Sequence, residues 1–130
     1  MKFRRDMGVD VPTRAHEGDA GWDLRAPDAF TVPAKGFSER IDLGVGFEIP
    51  KGHVGLVMER SSQGKKGLMS LGPVVDHGYT GNVHLTLGNS SDEDVSYAAG
   101  DKVAQLVVFP IADIAQLEEV LSFEETERGD

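Results

Sequence analysis

Val45, Phe47 and Ile49 alternate with Gly46 and Glu48, and Val83, Leu85 and Leu87 alternate with His84, Thr86 and Gly88. A period of two puts one set of side chains on a single face, so both segments are expected to be half-buried strands. Val54 to Met58 and Val103 to Phe109 are denser apolar runs, and their shortness and β-branched content predict strands buried on both faces. Between these segments stand Val32-Pro33-Ala34-Lys35-Gly36, Ile49-Pro50-Lys51-Gly52 and Ala98-Ala99-Gly100-Asp101. Proline presets one turn dihedral in the first two, and glycine supplies the conformation other residues resist, so each marks a chain reversal. Sixteen glycines and six prolines spread through the chain leave no room for a long helix. The expectation is an all-β fold, a sandwich, barrel or jelly-roll, built as one domain over residues 1–130.

Composition narrows the chemistry. The 130 residues carry 13 Lys and Arg against 22 Asp and Glu, a formal charge of -9, which disfavours a nucleic-acid backbone as partner. Much of the acidity lies from Asp113 onward, where seven acids face one base. That segment reads either as a solvated arm or as one that packs on a partner subunit through Leu117, Val120, Leu121 and Phe123. No apolar run is long enough to cross a bilayer, and Lys2, Arg4, Arg5, Asp6 and Asp10 are followed by no secretory apolar stretch, so no membrane role and a cytoplasmic location are expected. The absence of cysteine removes disulfides, thiolate nucleophiles and Cys-ligated zinc. No pair among His16, His53, His77 and His84 has a local metal-ligand spacing, no Gly-x-Ser-x-Gly elbow occurs, and the aromatic residues form no stacking ladder.

Four segments carry candidate chemistry. Glu59 to Gly67 offers the Arg60 guanidinium, the Ser61 and Ser62 hydroxyls and glycine-permitted backbone donors; it is either a phosphate-binding loop or a solvated one. It is not a P-loop, because Lys66 stands where Ser or Thr is needed. Asp76, at the end of Val74-Val75 and ahead of Gly78-Tyr79, is either a turn residue or a general base that polarises a water, with the flat face of Tyr79 beside it. Asp23, between Trp22 and Leu24 in an expected strand, either accepts backbone hydrogen bonds or organises metal-bound waters. Gln105 is the one polar group in Val103 to Val107, with a hydrogen bond inside the sheet as its simplest explanation.

Taken together, the order and spacing of these segments resemble the trimeric dUTP diphosphatase (dUTPase) family. Ala20-Gly21-x-Asp23-Leu24 is similar to its first motif, Arg60-Ser61-Ser62 to its second, Val75-Asp76-x-x-Tyr79-x-Gly81 to its third, and Gly100-Asp101-Lys102-Val103-Ala104-Gln105-Leu106 to its fourth. The resemblance implies a distorted, barrel-like jelly-roll with little helix and a homotrimer with shared active sites. It further implies Mg2+-dependent hydrolysis of dUTP to dUMP and pyrophosphate, a role in clearing dUTP and supplying the dTTP precursor. Asp76 would activate the attacking water and Tyr79 would pack on the deoxyribose. Arg60, Ser61, Ser62 and Gln105 would bind phosphates, and Asp23 would support the metal through water. Backbone groups between Leu68 and Val75 are expected to read the base, in a segment shorter than the family's usual uracil hairpin. The family's fifth motif is a glycine-rich closing arm, of which only a beginning, Arg128-Gly129, is present. Closure is therefore expected to be impaired, or to depend on residues beyond these 130. The related dCTP deaminases resemble Arg60-Ser61-Ser62 and the Asp76 turn, but use a glutamate where this sequence has Thr86. A hydroxyl does not readily replace a carboxylate in proton transfer, which makes deamination the weaker alternative. A non-catalytic nucleotide-binding module on the same scaffold is the third.

Overall fold

The computed structural model describes residues 1–72, 74–112 and 114–129. Twelve strands and one helical turn follow in chain order: β1 (Lys2–Arg5), β2 (Gly21–Arg25), β3 (Phe30–Val32), β4 (Gly36–Phe37), β5 (Ile41–Asp42), β6 (Val45–Glu48), β7 (His53–Met58), α1 (Ser61–Gly64), β8 (Leu68–Leu71), β9 (Val74–Asp76), β10 (His84–Asn89), β11 (Val95–Tyr97) and β12 (Lys102–Pro110). All pairings are antiparallel. One sheet runs β2-β12-β7-β9, a second is organised around β10 with β4, β5 and β8, and β1-β6 and β3-β11 form two-stranded ribbons. The all-β expectation holds, and the alternating segments become β6 and β10.

The core lies between the sheets. Leu24, Val57, Leu85, Leu87, Val103 and Leu106, from β2, β7, β10 and β12, are each no more than 1% exposed. Burying a side chain of this size is worth roughly 1.5–3 kcal/mol, so this layer holds the strands in register.

Two expectations need correction. β7 and β12 are not buried on both faces: Val54, Leu56, Met58 and Val107 are half-buried, and Phe109 is 43% exposed. Their sheet is covered on one side by the core, while the opposite face has only partial cover from this chain. At the Pro33 turn the left-handed residue is Lys35, with φ of 54°, rather than Gly36. The loop after β10 holds it there, because Lys35 donates through its N–H to Ser91 O (3.0 Å) and through Nζ to Ser90 O (2.8 Å). Gly36 instead packs closely on the turn, since a Cβ there would come 3.1 Å from the Pro33 ring.

Candidate functional site

Three neighbouring strands deliver the first group of side chains. Gln105 of β12 lies opposite Asp23 of β2 on one side and Met58 of β7 on the other, and β7 then leads through Glu59 into Arg60. Gly21 is matched to this packing, because a Cβ there would run into Gln105 Oε1. Gln105 Nε2 donates to Glu59 O at 3.1 Å, which ties β12 to the residue that precedes Arg60.

The Asp23 side chain is only 12% exposed, and a carboxylate so largely withdrawn from water requires compensation. Two cations supply it: Arg60 Nε stands 3.3 Å from Oδ1 and Lys102 Nζ 3.1 Å from Oδ2. Pairing through Nε fixes the plane of the guanidinium and leaves its two terminal nitrogens for an anion.

Arg60 has extended backbone (φ -84°, ψ 155°), and the chain turns immediately into α1. The expected loop is thus a single helical turn, whose Ser61 and Ser62 N–H groups have no intrahelical acceptor. Beside it opens a cleft of about 340 Å³, lined by Arg25, Arg60, Lys66 and Lys102 together with Ser62 and Gln63. Asp101 is the one carboxylate among its lining residues, and its Oδ2 accepts the Ala98 N–H. A chain of charge -9 that gathers four cations on one cleft focuses its positive field there, as a polyanion site requires.

The second group lies elsewhere. Asp76 pairs with Val54 near the start of β7, whereas Arg60 follows the end of that strand. Six residues at about 3.3 Å each separate the two by roughly 20 Å along the strand direction. Asp76 is exposed, and the turn after it is closed by Tyr79 N–H donating to Asp76 O (3.1 Å) and by Gly78 at φ 94°, a conformation that favours glycine. The Tyr79 hydroxyl donates to Asn82 O (2.7 Å), and its ring occupies the space a Cβ on Gly81 would need. Val75 directs its side chain into the core, at 6% exposure, so what it can offer a ligand is backbone on the outer edge of β9. β8 and β9 diverge into different sheets on either side of Gly72; Pro73, between them, lies outside the described residues.

Sequence reasoning assigned no role to two residues that organise these groups. Asn82 receives Arg4 Nη1 on Oδ1 (2.7 Å) and donates through Nδ2 to Asp6 and Asp42 (3.0 Å each), while Arg4 Nη2 donates to Thr80 O (2.7 Å). The strand β1 therefore pins the Tyr79 turn. Gln63, 3% exposed, sits behind Arg60. Its place three residues after the residue that opens α1, where a Gln side chain reaches back to cap a helix start, was the available signal.

Among the described residues no group of three or more His, Asp or Glu side chains could hold a metal ion, and no helix is long and apolar enough to cross a membrane.

The arrangement defines an all-β protein with a basic cleft and, at the far end of the same sheet, an exposed carboxylate beside a tyrosine. Residues 8–130 match the dUTPase family, and the chain belongs to that family. It is 37% identical over 126 residues to the deoxyuridine 5'-triphosphate nucleotidohydrolase of Saccharomyces cerevisiae, covering 96% of this chain and 85% of the yeast protein. It is 35% identical over 124 residues to the enzyme of the same name from an Anaeromyxobacter species, covering 92% and 84% of the two chains. The structure is similar to the dUTPase of Staphylococcus bacteriophage 80alpha with dUPNHPP, with a TM-score of 0.87, 25% identity, and coverage of 99% of this chain and 93% of that one. A dUTPase variant from phage phi11 of S. aureus, described with a structural Mg(II) ion, superposes with a TM-score of 0.82 at 26% identity, covering 95% and 98%.

Proposed function

We propose that this chain hydrolyses dUTP to dUMP and pyrophosphate. Family membership supports the reaction, and the observation that carries it for this molecule is the basic cleft around Arg60, set among residues of the first, second and fourth family motifs. Arg60 and Lys102 attract the triphosphate, and the Arg60 terminal nitrogens, the Ser61 hydroxyl and the Ser61 and Ser62 N–H groups bind its oxygens. Gln105, held against Glu59 O, lies on the same edge. Asp76 is exposed and faces no cation among the described ion pairs, which suits a base that takes a proton from a water attacking phosphorus. Tyr79, fixed through its hydroxyl, presents its ring to the sugar.

The residues fit a magnesium ion carried by the substrate's phosphates rather than one caged by protein, since magnesium keeps much of its water and is commonly held by phosphates. Asp23, already between two cations, would reach such an ion only through water. When bound, the ion offsets phosphate charge.

The site is shared between copies of the chain. One copy leaves Asp76 and Arg60 about 20 Å apart along β7, and a second copy brings its own Asp76 turn to the first copy's cleft. The half-covered outer face of β7 and β12 and the exposed Leu117, Leu121 and Phe123 supply apolar surface for a homotrimer. Thr86, half-buried on β10, brings no carboxylate for deamination.

The test is to incubate the protein and magnesium with dUTP, dCTP, dTTP and UTP separately and to resolve every product by ion exchange. Pyrophosphate and dUMP from dUTP alone are expected. A uracil nucleotide formed from dCTP, or no product from dUTP, would overturn the reading.

A further inference from the structure

Gln63 is a buried amide whose hydrogen bonds converge on the phosphate loop. Oε1 accepts the Arg60 N–H at 2.7 Å, and Nε2 donates to Val103 O at 2.7 Å and to the Tyr97 hydroxyl at 3.1 Å. Only one orientation of the amide satisfies all three partners. Both amide hydrogens are used, so Gln63 has no donor left for a phosphate oxygen although it borders the cleft.

We propose that Gln63 is a positioning residue for Arg60, acting through the Arg60 backbone while Asp23 acts through its side chain. The geometry makes this a two-point clamp. Gln63 ties Arg60 N to Val103 on β12, two residues before Gln105, and Asp23 ties Arg60 Nε to β2. Arg60 is thereby fixed to the two strands that follow β7 on one side of the sheet, with its free nitrogens directed by those two anchors. At 3% exposure, water does not compete for the Gln63 bonds, and losing them leaves the Arg60 N–H and Val103 carbonyl to find other partners. Tyr97, stacked on Phe30 at 5.0 Å between ring centroids, extends the anchor to the β3-β11 ribbon.

The inference rests on Arg60 being a phosphate ligand, and inorganic pyrophosphate tests it without requiring dUTP turnover. Calorimetric titration of pyrophosphate into wild type, Gln63→Leu, Arg60→Ala and the double variant forms a cycle. Gln63→Leu is expected to weaken pyrophosphate binding about tenfold, in line with the loss of a buried hydrogen-bonded anchor. In the Arg60→Ala background the same change is expected to cost less than about twofold, because the residue it acts through is gone. Deoxyuridine, which has no phosphate, is expected to bind wild type and Gln63→Leu equally, and the change in dUTP turnover is expected in KM rather than kcat. Wild-type pyrophosphate affinity in Gln63→Leu, or equal losses in the two backgrounds, would overturn the proposal. So would wild-type protein that hydrolyses dUTP without Arg60 contributing to pyrophosphate affinity. Should Gln63→Leu fail to fold, Tyr97→Phe removes one of the three bonds and is expected to weaken pyrophosphate about twofold, again only when Arg60 is present. An unchanged affinity in Tyr97→Phe would then count against the clamp.

Discussion

The two ends of β7 hold opposite kinds of site. At its C-terminal end, Arg60 is fixed by a carboxylate only 12% exposed and by a buried amide, which tie it to β2 and β12, so charge and hydrogen bonding are organised before any ligand arrives. Beside its N-terminal end, Asp76 stands exposed on a turn whose supports are backbone, one glycine and the Arg4–Asn82 contacts. The comparison separates two tasks. Holding a polyanion requires cations whose desolvation is already compensated, whereas taking a proton requires a carboxylate not already committed to a cation.

That contrast predicts a graded series of effects. Asp76→Asn should leave dUTP binding within about twofold and reduce turnover by about 10³, within the range for loss of a general base. Single-turnover kinetics beside a binding titration check this, and wild-type turnover would remove Asp76 from its role. Arg60→Ala should instead act mainly on affinity, raising KM by about 10- to 100-fold through loss of charge-assisted bonds. Loss of kcat alone would make the two ends alike. Asn82→Ala, which unties β1 from the Tyr79 turn, should cost about 1 kcal/mol in urea unfolding and lower discrimination of dUTP against UTP more than it raises KM. An unchanged dUTP-to-UTP ratio would separate Tyr79 positioning from Asn82.

The smallest effect concerns pH. The Gly44 N–H on Asp42, against a modest desolvation, holds this carboxyl below its ordinary value, with Asn82 and His84 adding to the effect. A lowered folded pKa contributes stability that is complete above the ordinary aspartate value and lost as pH falls through the folded one. The stability difference between wild type and Asp42→Asn should therefore shrink below about pH 4, and by little, because the side chain is half exposed. A difference that grows on acidification would reverse the assigned cause.

Much of the fold was legible because its signal is local. The alternation in Val45 to Ile49 and Val83 to Leu87 needs only neighbouring residues, and both segments fold as strands. The candidate site residues stood out in the sequence as polar groups in unusual places. Their partnerships were not: Asp23 and Arg60 are 37 positions apart in the chain, and only the register of β2, β12 and β7 brings them to 3.3 Å. Gln63 drew no reading of its own within Glu59 to Gly67, since nothing nearby in sequence announces Val103 or Tyr97 as its partners. Burial of β7 on both faces was over-read for a related reason, as an apolar run records that a face is covered without recording which chain covers it.

The central claim is that a working site joins the Arg60 end of one copy to the Asp76 end of another. The most direct test is to unfold and refold Arg60→Ala and Asp76→Asn together in equal amounts and to measure hydrolysis at dUTP well below the wild-type KM, where each variant alone is nearly silent. Random assortment in a site built from two copies gives about a quarter of wild-type activity, because one site in four receives both intact halves. Activity no higher than the sum of the separate variants would place both halves in one chain and contradict the account.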